Sequence, residues 1–135
     1  MLRSFRFRPW VSRALLRFAA LVLLAQTLLA WALLLGAVGG GFTELGAGQR
    51  NLAVISAVLC PVAATGAWFI SDWGPILWMG VIVALGAAVS LGAGGHAAVP
   101  LAFLLHVALL GLWLVTAARV ERRHGEAGAD GPLDP

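Results

Sequence analysis

Four long apolar stretches fill most of this chain, and they limit its fold more than any other feature. They run over about 14–38, 52–71, 75–93 and 97–118. Each holds roughly 19–25 residues, and at about 1.5 Å of helical rise per residue each can cross a hydrocarbon core of about 30 Å. The first carries no charge after Arg17. Lipid offers backbone groups no partner, so a spanning segment must be a helix or belong to a closed barrel. The stretches lack the alternation of barrel strands, which predicts helices.

Composition points the same way. Apolar residues make up 61% of the chain and charged residues only 11%, against about 25% charged in soluble domains. A water-soluble chain of 135 residues could not hide that much apolar surface. The links between stretches are short. "GGGFTELGAGQRN" (39–51) reads as a glycine-rich loop, and "SDWG" (71–74) and "GGH" (94–96) read as tight turns. Short links make sequential helices antiparallel. The predicted fold is therefore all-α: a polytopic transmembrane bundle of four helices running up, down, up, down. A basic segment, 1–13, precedes the domain at 14–118. The tail, 119–135, is polar with no apolar face, and is predicted to be disordered.

All nine basic residues are arginine. Arg3, Arg6, Arg8, Arg13 and Arg17 precede or open the first helix, and Arg119, Arg122 and Arg123 follow the fourth. Arg50 alone lies in a loop on the other side. By the positive-inside rule both termini face the cytoplasm. The excess of alanine, glycine, leucine and arginine reads as GC-rich coding, hence a bacterial inner membrane. One rival is a signal peptide cleaved near "AWA" (30–32), but "LLLGAV" prolongs the apolar run beyond such a cut. Another is a mitochondrial presequence, since no acid occurs before Glu44. A pI near 11.1 would suit a nucleic-acid binder. These arginines flank apolar segments, however, so anionic lipid headgroups are the expected partner and nucleic acid is not. Cys60, the single cysteine, excludes an internal disulfide and a multi-cysteine metal cluster.

The stretch "WFISDWGPILW" (68–78) concentrates the aromatic residues. Asp72 is expected to cap the third helix by accepting from the Gly74 N–H, with Pro75 in the first turn, where no N–H is needed. Trp68, Trp73 and Trp78 are expected at the headgroup level as anchors, with Trp10 and Trp113 at the same interface. Asp72 as a proton or cation site is the competing reading.

Three polarisable side chains fall near mid-membrane: Gln26 in the first helix, Cys60 in the second and His106 in the fourth. They form a candidate polar cluster in the bundle interior. An intramembrane ionisable residue is a functional hypothesis by default. A neutral histidine could relay protons or bind a metal or haem iron. The plainer reading is interhelical hydrogen bonding, worth about 0.6 kcal/mol on average. His96 lies about 15 Å along the same helix from His106, too far to share a metal. Pro61 removes one helical hydrogen bond, which Ser56 or Thr65 could offset locally.

Gly80, Ala84, Ala88 and Gly92 recur every four residues and make a smooth ridge for helix packing, within the chain or against another subunit. The second helix answers with Ala53, Ala57, Ala63, Ala67 and Gly66, so the second and third helices are expected to pack as one hairpin.

The run 57–78, "AVLCPVAATGAWFISDWGPILW", resembles the central hairpin of a family of uncharacterised bacterial four-helix inner-membrane proteins. Pro61, Val62, Ala63, Ala64, Gly66, Trp68, Trp73, Gly74 and Trp78 carry the resemblance. It implies the four-helix membrane fold and brings no activity with it. Small multidrug transporters have a similar size and rely on a membrane glutamate in the first helix. Gln26 stands there instead, which argues against proton-coupled export of that kind.

No P-loop, zinc motif or nucleophile–base pair is present, so no catalytic, cofactor-binding or metal residue is assigned. The expected function is non-enzymatic: an accessory or scaffold subunit, self-associating or joined to another membrane subunit through small-residue faces. The alternative is a small transporter or channel component with a polar path through Gln26, Cys60 and His106. A redox-cofactor protein built on His106 is the third reading.

Overall fold

A computed structural model describes residues 10–38, 41–92 and 98–129, with side chains over 11–38, 41–92 and 99–119. Among these residues the chain forms four α-helices and no strand: α1 (Trp10–Leu34), α2 (Ala47–Trp68), α3 (Trp73–Ser90) and α4 (Ala98–Ala129). Each contains a span long and apolar enough to cross a membrane. The fold is an all-α four-helix bundle, as the apolar stretches predict. The helices form a ring in which α1 packs on α2, α2 on α3, α3 on α4, and α4 back on α1. The α1–α2 pair is the most extensive contact.

Helix ends differ from the sequence expectation where polar residues continue the helical turn. α2 starts at Ala47 rather than at Leu52. α4 continues as helix through 119–129, where disorder was expected, while its membrane-length span stops at Arg119. No proline interrupts the chain between Pro100 and Pro132, so nothing breaks the backbone hydrogen bonds there. Residues 1–9, 39–40, 93–97 and 130–135 lie outside the described residues, and with them Arg3, Arg6, Arg8, His96 and the end of the tail.

α1 and α3 each bury a stripe of residues spaced three or four apart. On α1 it is Ser12, Leu16, Ala19, Leu23, Thr27 and Ala30; on α3 it is Gly74, Trp78, Val81, Leu85 and Ala88. This is the seam of left-handed helix packing. The faces turned outward are also apolar, including Leu28, Ile76, Val83, Leu101 and Leu104. In water such a surface would aggregate; in lipid it is matched to its solvent. The buried face of α2 is mostly small: Ala53, Ser56, Ala57, Cys60, Ala63, Ala64, Gly66 and Ala67. Large side chains from its neighbours fill the space, chiefly Leu16, Leu23, Trp78 and Leu85.

The α2–α3 hairpin is the tightest point. A Cβ on Gly66 would meet Gly74 Cα at 2.7 Å, and a Cβ on Gly74 would meet the Ala67 nitrogen at 2.6 Å. The backbones touch there, which only glycine permits. The ridge predicted on α3 is not what makes this contact. Gly80 has nothing within 4 Å of a built Cβ, and Gly92 lies beyond the helix with φ +65°. Of its four residues, Ala88 is buried and Ala84 half-buried.

α2 closes by a Schellman motif. Ser71 N–H donates to Gly66 C=O at 3.0 Å and Ile70 N–H to Ala67 C=O at 3.2 Å. α1 ends the same way around Gly36, whose φ is 77°. At the α2 end the left-handed position falls to Ile70, at φ 57°. A β-branched residue there costs about 1–2 kcal/mol, a strain the adjoining glycine contact holds in place.

Candidate functional site

One residue from each helix meets in the middle of the bundle. His106 on α4 is fully buried. Its Nδ1 accepts from the Trp78 indole N–H of α3 at 3.1 Å. Its Nε2 lies 2.7 Å from Gln26 Oε1 of α1. Gln26 Nε2 in turn donates to Ser56 Oγ of α2 at 3.4 Å, a long bond. The order is Trp78, His106, Gln26, Ser56, and it links all four helices in one layer.

Chemistry fixes the direction of these bonds. Indole N–H can only donate, so Nδ1 must present a lone pair. The ring proton then sits on Nε2 and is donated to the Gln26 carbonyl. The Gln26 amide, its oxygen taken, turns its nitrogen toward Ser56. A protonated imidazole would set a donor at Nδ1 against the indole donor, so the layer is built around neutral histidine. The indole and imidazole rings meet edge to face, with centroids 6.4 Å apart at 73°.

Of the three side chains singled out in the sequence, Gln26 and His106 are in direct contact. Cys60 is fully buried one turn after Ser56, on the same face of α2. It lies beside the layer and is not one of its bonded members. Sequence reasoning did not place Ser56 or Trp78 in it. The signal for Trp78 was its register: it falls three residues before Val81 and seven before Leu85, on the face that α3 buries.

Trp78 thus corrects one expectation. It is 1% exposed and sits in the core rather than at a headgroup interface. An indole needs an interface only when its N–H lacks a partner, and His106 supplies one. Trp113 is also buried in the core. Trp68 and Trp73 are each 44% exposed at the α2–α3 turn, where anchors were expected. The side chain of Trp10 lies outside those described.

Asp72 corrects another. It occupies the N-cap position of α3 but makes no side-chain capping bond. Its own backbone is already helical, at φ −66° and ψ −26°, whereas a capping side chain needs an extended backbone to fold back. The Gly74 N–H donates to Ser71 C=O at 3.2 Å instead. Around Pro61, α2 runs on unbroken, and Thr65 Oγ1 donates to the Pro61 C=O at 2.8 Å.

Two arginines lie over aromatic rings at cation–π distance, at opposite ends of the bundle. Arg17 lies over Trp68, 5.8 Å from the ring centroid, and Arg50 over Phe42 at 4.5 Å. Arg50 also donates to Leu45 C=O at 3.2 Å. Among the described residues no three His, Cys, Asp or Glu side chains converge in a way that could hold a metal ion.

No curated protein and no solved structure matches the chain significantly. A family model described as a family of unknown function, DUF6163, matches residues 10–123, from the start of α1 to within the polar extension of α4. The match takes in all four helices, including the residues of the central layer, and the chain belongs to that family.

Proposed function

We propose that the protein is a non-enzymatic accessory or scaffold subunit of the bacterial inner membrane. One observation carries this reading: both nitrogens of the buried His106 are engaged, by Trp78 and Gln26. A group spent on interhelical bonds is not offered to a ligand. The layer therefore fastens the bundle and leaves its outer faces for other membrane partners. The exposed flank of α3 around Gly80, where a Cβ would meet nothing, admits a close-packing helix of a second copy or another subunit.

We infer further that α1 is retained, because it supplies Leu16, Leu23 and Gln26 to the interior. Both termini face the cytoplasm, on the arginine bias. Reporter fusions at the two ends test this; ends on opposite faces would overturn it.

The association is tested by co-expressing two differently tagged copies and purifying one in mild detergent. Recovery of the second copy, abolished by Gly80→Leu, supports self-association. Strictly monomeric protein that brings down no membrane subunit in stoichiometric amount discards the scaffold reading. The alternative, a transport path through Gln26, Cys60 and His106, would need polar groups stacked along the membrane normal. Here the bonds run sideways from helix to helix. Loss of a transport or pH response in His106→Leu protein that remains folded would favour that path.

A further inference from the structure

We propose that Arg17 and Trp68 form a seat for the headgroup of an acidic phospholipid, at the end of the bundle where α2 turns into α3. Arg17 lies on α1 and is exposed, and its guanidinium is held over the Trp68 indole at the end of α2. At 5.8 Å from the ring centroid this is a cation–π contact, which uses none of the N–H donors on the guanidinium edge. That edge matches two oxygens of a phosphodiester. Among the described residues no carboxylate pairs with Arg17. Asp72, the acid on the adjoining turn, is exposed and makes no ion pair among those residues.

The surroundings favour a lipid over a free anion. Trp68 and Trp73 are each 44% exposed, and Trp73 is fixed because its ring lies against Gly66. Phe18 follows Arg17 and Phe69 follows Trp68, and both are exposed, at 52% and 75%. A soluble phosphate would gain nothing from these rings. A phospholipid presents its phosphate to the guanidinium and its glycerol and upper acyl chain to the aromatic side chains. Arg13 and Arg119, also exposed at this end, add to the positive field that draws acidic headgroups.

The experiment uses the full-length protein in detergent micelles, given equal amounts of phosphatidylglycerol and phosphatidylcholine with the same acyl chains. Retained lipid is read by native mass spectrometry. The wild type is expected to keep phosphatidylglycerol over phosphatidylcholine by about ten-fold, the range of one charge-assisted contact. Arg17→Gln and Trp68→Leu are expected to lose most of that preference. Arg17→Lys keeps the charge without the planar fork of donors and should keep only part of it. Arg50→Gln, at the other end, should retain it in full. An equal preference in wild type and Arg17→Gln overturns the proposal, as does no preference in the wild type. Displacement of the lipid by millimolar inorganic phosphate would show a simple anion site and overturn the lipid assignment. Should Arg17→Gln fail to fold, the Arg17→Lys and Trp68→Leu pair decides on the same readout.

Discussion

The indole N–H of Trp78 meets Nδ1 of His106 at 3.1 Å, and that single contact decides where the histidine proton resides. A donor-only partner at Nδ1 leaves the proton on Nε2, facing Gln26 at 2.7 Å. Nitrogen-15 spectra of histidine-labelled protein should therefore show, for His106, a bare Nδ1 and a protonated Nε2. The His106→Leu spectrum identifies the signals. Trp78→Phe keeps the ring but removes the donor, and should yield a mixture of tautomers. A protonated Nδ1 in the wild-type protein would contradict the arrangement.

The Gln26–His106 bond joins α1 to α4, a more lightly packed pair than α1 with α2. Its strength is measured by a double-mutant cycle with Gln26→Leu and His106→Leu, unfolded by SDS titration from mild detergent. The expected coupling is about 0.6–1.7 kcal/mol, the measured range for polar contacts between membrane helices. His106→Leu alone should cost about 1–3 kcal/mol, because it strands the Trp78 donor and the Gln26 acceptor in the interior. A coupling of zero would mean that the two side chains act independently.

Asp72 fills a capping position without making a capping bond. Asp72→Ala should then leave stability within about 0.5 kcal/mol of wild type, where a working N-cap would cost about 1 kcal/mol. Thermal unfolding in the same detergent distinguishes the two. A loss of a full kilocalorie would restore the cap as a real contact in the folded protein.

These outcomes separate what the sequence could reveal from what it could not. Helix number and membrane-spanning length follow from runs of apolar residues, because the cost of an unpaired backbone in lipid leaves no other structure. Depth in the membrane is also readable: Gln26 and His106 can be placed near the middle by counting. Facing is harder. In a soluble helix the polar side marks the outside, but here Leu and Val cover the lipid side and also fill the inside, at Leu16, Leu23, Val81 and Leu85, so hydrophobicity does not tell the two faces apart. A tryptophan such as Trp78 then reads as an interface anchor although it is a core donor. Backbone approach is equally hidden. Gly66 and Gly74 stand eight positions apart with a turn between them, and nothing local distinguishes them from Gly80.

That difference among glycines gives the sharpest test of the packing. Gly66→Ala and Gly74→Ala each force a methyl into backbone, where neighbours stand at 2.7 Å and 2.6 Å. Neither backbone can yield without separating α2 from α3, so each should cost about 1–3 kcal/mol or more, as overpacking does. Gly80→Ala meets nothing within 4 Å. For the monomer in detergent it should be neutral or stabilising by about 0.5–1 kcal/mol, through the lower helix propensity of glycine. SDS titration of the three variants beside the wild type reads all of these at once. If Gly80→Ala proved as damaging as Gly66→Ala, α3 would be packed through its predicted ridge, and the hairpin contact at Gly66 and Gly74 would lose its special place.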